Sequence, residues 1–219
     1  MLKKVGFALL YGVFIALVVA ALWRWQANGW GTFVWIATMF AIMFIRAPHQ
    51  KVYDRNETVE KQSAQTEKFL LVMVSLGMGN LPLIHLATGL LGFADYTLPH
   101  WATAIGAVLT VSGLYLFWRS HADLGRNWSP TTEIHSEQKL ITEGIYRSIR
   151  HPMYTSLWLL TVAQPLVIHN WLMGFSGPLA FGILYFVRVP YEEGMMRKQF
   201  GTDYDDYCAA TGRLIPRLG

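Results

Sequence analysis

Charge is missing from this chain over long stretches, and that absence constrains the fold more than any other feature. Residues 5–23, 25–45, 69–94, 96–118 and 152–187 contain no Lys, Arg, Asp or Glu. A helix that crosses a ~30 Å hydrocarbon core needs roughly 17–25 mostly apolar residues, so each of the first four windows supplies one crossing. The fifth window, at about 1.5 Å per residue, would overrun the bilayer as a single helix. It is therefore expected to fold back as a hairpin. His169-Asn170 and residues 174–178 are the candidate breaks, leaving two legs near the lower length limit. The fold class is all-α: a polytopic integral membrane protein of about six helical segments with a C-terminal membrane hairpin. Composition agrees, with 53% hydrophobic and only 15% charged residues, below the quarter usual in soluble domains.

The cations set an expected orientation. With Lys3 and Lys4 in the cytoplasm, seventeen of the eighteen Lys and Arg residues fall on the cytoplasmic side and only Arg24 lies outside. Both termini, the 46–68 loop and the 119–150 loop are then cytoplasmic. The net charge of +4 is read as this topology signal, not as a nucleic-acid footprint. Residues 1–23 read as a retained anchor, because the apolar stretch is long and Trp23-Arg24-Trp25 is a poor cleavage context. One cysteine, Cys208, excludes a disulfide framework, and seven histidines without HExxH spacing give no metal centre.

Two regions follow: 1–118, four membrane helices with a cytoplasmic 46–68 loop, and 119–219, a loop, the hairpin and tail helices. The mixed-charge 46–68 loop is read as a solvated connection without chemistry, the alternative being a short cytoplasmic helix. Asn80 and Pro82 predict a kink set by helix packing. The tail reads as two short helices, one over 190–200 stopped by Gly201. The other runs over 202–212 and starts at a capping-box-like Thr202/Asp205.

Polar chemistry collects at the mouth of the hairpin. Pro152 is suited to the first helical position, with His151 as the cap and Tyr154 three residues on. Arg188 and Glu192, four apart, share a face of the returning leg and come back to the level of His151 and Tyr154. A guanidinium, carboxylates, an imidazole and a phenol thus meet where water meets lipid. The plainer readings are positive-inside anchoring and an Arg188–Glu192 surface pair of little energy. The site reading predicts two ligands: an anion at Arg188 and a group carrying positive charge near Glu192.

The blocks "LITEGIYRSIRHPMYTSL", "RVPYEEGMMRKQFGTDYDDY" and "RLIP", in this order around an apolar hairpin, closely resemble the isoprenylcysteine carboxyl methyltransferase family. They are most like its bacterial-type members, and the wider relatives include phospholipid N-methyltransferases. The resemblance covers roughly residues 120–217. It implies a membrane-embedded methyltransferase that uses S-adenosyl-L-methionine. Carried over residue by residue, it implies cofactor contacts from Gln138, Lys139, Leu140 and Ile141, then from Tyr146, His151, Pro152, Met153 and Tyr154, and from Glu192. Arg188 matches the arginine that holds the acceptor's carboxylate. Ser156 stands where the family mostly has Gly, and Gln138 where His is common. The implied partner is a lipophilic or prenylated acceptor entering laterally from membrane lipid. Methylation of an ionised carboxylate is an in-line displacement that needs no general base, only alignment in a dry site. A lipid-amine methyltransferase is the alternative enzyme; it would need a base, for which Glu193 and Asp203 are the candidates. A transporter or scaffold is the alternative from another class. Against ion-coupled transport, the spans within 5–118 carry no charge between their ends.

Overall fold

The computed structural model describes residues 2–53, 58–61, 63–129, 133–135 and 139–217. Six long helices carry it: α1 (Leu2–Trp23), α2 (Gly31–Tyr53), α3 (Ala64–Thr88), α4 (His100–Leu124), α5 (Pro152–Val167) and α6 (Trp171–Phe200). A shorter α7 (Thr202–Ala210) follows. Helices α2, α3, α4 and α6 are each long and apolar enough to cross a membrane, and the chain is an all-α polytopic membrane protein. Among the described residues, a two-stranded antiparallel ribbon pairs β1 (Thr58–Lys61) with β2 (Glu133–His135) and ties the 46–68 loop to the 119–150 loop.

Large apolar side chains point outward along the helices, including Leu10, Phe44, Val108 and Phe186. Facing lipid, they need no cover. Trp23, Trp101 and Trp171 are exposed at one end of the bundle, the belt position favoured by amphipathic rings.

That end is closed by polar ties between turns. Asn28 Nδ2 donates to the Leu86 carbonyl at 2.8 Å, and the Tyr96 hydroxyl donates to the Pro165 carbonyl at 2.5 Å. Asn170 does most there. Its Oδ1 accepts from the N–H groups of Leu172 and Met173, capping α6, while its Nδ2 donates to Leu91 O and Asp95 Oδ1.

The hairpin therefore breaks at 168–170, as the His169-Asn170 signal predicts. The second expected break does not occur, because residues 174–178 continue inside α6. Their glycines serve packing instead: a Cβ on Gly174 would meet the Pro165 main chain, and one on Gly177 would meet the Gln164 amide. The two legs are accordingly unequal, sixteen residues in α5 and thirty in α6. The expected separate helix at 190–200 is likewise the continuous end of α6, which runs through Pro190 and stops at Gly201, φ 54°. Helix α7 begins at Thr202 as expected but without a side-chain cap bond.

Helices α4 and α5 pack most extensively. Small residues at helical spacing, Ala102, Gly106, Thr110 and Gly113, let them approach: a Cβ on Gly113 would press on Leu160 and the Ser156 carbonyl. In α3, residues Leu76–Asn80 form a π-helical turn. The Gly77 carbonyl released there accepts from Gln164 Nε2 (3.0 Å) and Ser176 Oγ (2.6 Å), locking α3 to the hairpin. The irregularity expected near Asn80 is thus a packing device.

Candidate active site

Between α2, α3, α4 and the hairpin lies a cavity of about 560 Å³. Each helix contributes a stripe at three- and four-residue spacing. From α6 these are Phe181, Leu184, Arg188, Glu192 and Met195; from α5, Tyr154, Leu157, Leu160 and Gln164; from α2, Trp35, Met39, Ile42 and Arg46. The cavity is apolar along the helices and polar at the end where the 139–151 segment and α7 cover it. Helix α2 packs on α4 and α5, with at most marginal contact to the first half of α3. A seam toward lipid lies between them.

The polar end depends on how the chain enters α5. Gly144 turns at φ 59°, a conformation that costs an L-residue about 1–2 kcal/mol, and a Cβ there would strike the Asp123 carboxylate. The same carboxylate accepts from Ile145 N at 2.8 Å and pairs with Arg119 at 2.8 Å. The Tyr207 hydroxyl donates to the Tyr146 carbonyl at 2.7 Å. The N–H groups of Arg150 and His151 donate to the carbonyls of Gly212 and Arg213 at 2.9 and 3.0 Å. The C-terminal tail thus straps the start of α5 in place.

Glu193 is the hub of this strap. Buried at 3% exposure, it accepts from Arg150 Nε at 3.0 Å, from His151 Nε2 at 3.2 Å and from Arg213 Nε and Nη2 at 3.1 and 2.8 Å. Both of its oxygens are engaged, so it is not placed to take a proton from a substrate. Asp203, the other candidate base, is exposed on α7 and does not line the cavity.

Glu192, one residue earlier, faces the cavity. Its Oε2 accepts from the Tyr154 hydroxyl at 2.6 Å, and its Oε1 lies 4.0 Å from His151 Nδ1. Tyr146 is buried below, its hydroxyl 3.4 Å from the Ser120 carbonyl. Burial, and then the Glu192 charge, keep this phenol well above its usual range. Arg188 lies one turn before Glu192 on α6, and its Nε is 3.5 Å from Glu67 Oε1 on α3, with both side chains buried. The surface pair considered from sequence is replaced by an ion pair inside the bundle.

The sequence-predicted residues largely converge. Lys139, Leu140 and Ile141 line the cavity, as do Tyr146, His151, Met153 and Tyr154, and Arg188 with Glu192. Lys139 N donates to Asn127 Oδ1 at 2.9 Å, holding this extended segment against the opening. Pro152 is buried at the start of α5 but does not line the cavity; it sets the helix start. Gln138 lies outside the described residues.

Glu67 was not expected here. It lies in the first turn of α3, at the end of the 46–68 segment, and supplies an ion-pair partner for Arg188. Its register was available in the sequence: Glu67, Leu71, Val74 and Met78 form one helical stripe, and the last three line the cavity.

Residues 101–203 match the family described as phospholipid methyltransferase. A probable protein-S-isoprenylcysteine O-methyltransferase of Oryza sativa subsp. indica is 31% identical over 143 residues, spanning 64% of this chain and 74% of the rice protein. Protein-S-isoprenylcysteine O-methyltransferase B of Arabidopsis thaliana is 25% identical over 118 residues, 53% of this chain and 60% of its own. The solved structure of the eukaryotic intramembrane Ras methyltransferase, an isoprenylcysteine carboxyl methyltransferase, superposes with a TM-score of 0.58 at 20% identity. That match covers 91% of this chain and 72% of the other and is a likeness of fold.

Proposed function

The chain belongs to the isoprenylcysteine carboxyl methyltransferase family of membrane methyltransferases, and on that premise we propose that it methylates the carboxylate of a lipophilic acceptor. The cofactor is S-adenosyl-L-methionine, which supplies an electrophilic methyl group on a sulfonium. The residues at the polar end fit such a molecule. The main chain of Leu140 and Ile141 makes no hydrogen bond among the described residues, so its polar groups are available to a ligand. The Glu192 carboxylate, oriented by the Tyr154 hydroxyl, suits a positively charged group.

The observation that carries the reading is a single cavity with Glu192 and Arg188 one helical turn apart at its polar end and an apolar lining beyond. Glu192 holds the cofactor's cationic region. Arg188, steadied by Glu67, holds the acceptor's anion, and the two are brought into line at the distance of one turn. The apolar stripes take the acceptor's hydrocarbon and exclude water. No residue here has to remove a proton, because the acceptor is already ionised. The polar end faces the cytoplasm by the distribution of cations, and the acceptor enters through the seam between α2 and α3.

The test is binding and methyl transfer with purified protein. Glu192→Gln should weaken S-adenosylmethionine binding roughly ten- to hundredfold. Arg188→Ala should leave cofactor binding intact and cripple turnover of a prenylcysteine acid, with Arg188→Lys restoring only part, since it keeps charge but not the two-pronged geometry. Equal losses on a matched lipophilic amine would overturn the carboxylate assignment.

A further inference from the structure

The Trp-lined end of the bundle, opposite the cavity's polar end, holds a charge that the proposed reaction does not use. The connections there, 24–30, 89–99 and 168–170, carry one cation, Arg24, and one carboxylate, Asp95. Asp95 is already engaged, accepting from Asn170 Nδ2 at 2.7 Å and lying 3.5 Å from His85 Nε2. Arg24 pairs with no carboxylate among the described residues, and its Nε is buried without a hydrogen-bond partner. Buried donors are rarely left so. The guanidinium lies against Gly89, the left-handed residue (φ 74°) that ends α3, where a Cβ would strike it. Attraction to that helix C-terminus accounts for its position; it gives no partner to Nε.

Arg24 also closes one end of a groove of about 730 Å³ on the outer side of α1. The lining steps along the helix at four-residue spacing, from Gly12 through Ala16 and Ala20 to Arg24, with Ala87 of α3 beside it. Gly12 and Ala16 are exposed to the lipid side, and at Gly12 open space stands where a Cβ would be. From Gly12 to Arg24 the helix rises about 18 Å at about 1.5 Å per residue, close to the ~15 Å of one leaflet. The exposed ring of Trp23 marks the headgroup level at Arg24. The groove therefore runs the depth of a leaflet with a guanidinium at its headgroup end.

We propose that this groove holds one acyl chain of an anionic phospholipid, with the lipid's phosphate on Arg24. It is remote from the cavity's polar end, since Ala87 lies about 30 Å along α3 from Glu67. The rival occupant is a second copy of α1, because small residues at four-residue spacing also let helices pack together. Two copies inserted the same way in one membrane would pair in parallel and bring their Arg24 cations together, with no carboxylate between them. A lipid phosphate supplies the missing anion instead. A zwitterionic headgroup fits less well than an anionic one, because its own cation finds Asp95 already taken.

The test is native mass spectrometry of the full chain released from nanodiscs of equal parts phosphatidylglycerol and phosphatidylcholine with matched acyl chains. The wild type should retain one phosphatidylglycerol per chain, with a roughly ten- to hundredfold preference over phosphatidylcholine, the worth of one charged hydrogen-bonded contact. Arg24→Gln should abolish the preference, and Arg24→Lys should keep part of it. Gly12→Leu places a side chain in open space within the groove, so the fold should hold while retention of both lipids falls. Thermal midpoints in lipid-free detergent report on folding; should Arg24→Gln fail to fold, Gly12→Leu decides alone. Equal retention of the two lipids by the wild type, as a non-specific lipid shell gives, would overturn the proposal. So would an unchanged preference in a folded Arg24→Gln, or unchanged phosphatidylglycerol retention in Gly12→Leu. A wild-type dimer that Gly12→Leu separates would also overturn it, giving the groove to a second copy of the chain.

Discussion

Replacing Glu193 with glutamine separates a structural hub from a catalytic base. The carboxylate and Arg150 are 4% and 13% exposed at their side chains, so their pair is a buried one. Breaking such a pair by removing one charge costs about 3–5 kcal/mol. The Arg213 arm is 49% exposed and open to solvent screening, so it adds at most about 1 kcal/mol. Glutamine keeps one oxygen that can still accept, which returns about 1 kcal/mol. The net expectation is a loss of about 2–5 kcal/mol. For a chain of this size each kcal/mol moves the midpoint by about 2–4 °C, so it should fall by about 4–20 °C. Thermal unfolding in detergent measures this directly, and limited trypsin digestion should show earlier cleavage at Arg213 and Arg217 as the strap loosens. Arg213→Ala serves as the control, with a shift of a few degrees at most. An unchanged midpoint with turnover abolished would refute the reasoning and make Glu193 a group acting on substrate, as amine methylation would require.

Two further outcomes follow from the same geometry. Gly144→Ala should lower the thermal midpoint and weaken cofactor binding together, because it sets a left-handed residue costing about 1–2 kcal/mol against the Asp123 carboxylate that holds Ile145; an unaffected cofactor affinity, read by calorimetry, would detach this turn from the site. The rate on an acid acceptor should be flat between about pH 7 and 9. The raised Tyr146 phenol stays neutral as pH rises through this range, and the acceptor is already ionised; a decline toward the upper end of the profile would assign a titrating group to the reaction.

The helices are legible in the sequence because lipid removes the option of charge, so their cores are printed as charge-free windows. Asn170 is legible as a break for a similar reason: a capping side chain after an apolar run has few other uses. Glycine and proline within α6 mislead, since residues 174–178 read as a break but serve close contact with Pro165 and Gln164. Pro190 passes through the same helix without ending it. At the site, the residues carried by contiguous motifs fall on the cavity, while the partners that orient them lie far away in sequence. Glu67 meets Arg188 across more than a hundred residues, and Arg213 reaches Glu193 only because the tail doubles back along α5.

The inequality of the hairpin legs has a consequence for the surrounding lipid. At about 1.5 Å per residue, the sixteen residues of α5 rise about 24 Å, some 6 Å short of a ~30 Å hydrocarbon core, whereas the thirty of α6 overshoot it. Mismatch of this kind is met by thinning the bilayer or by sinking the short helix, at fractions of a kcal/mol per Å. Asn170 and Tyr96 tie the turn between the legs to its neighbours, and with that turn at the membrane edge the deficit falls at the other end of α5, under His151. On the proposed function, the site at the start of α5 then sits below the headgroups, at the depth of the acyl chains' first carbons. An amphiphile could reach it by drifting sideways within its own leaflet, and membrane thickness becomes a variable that tunes turnover.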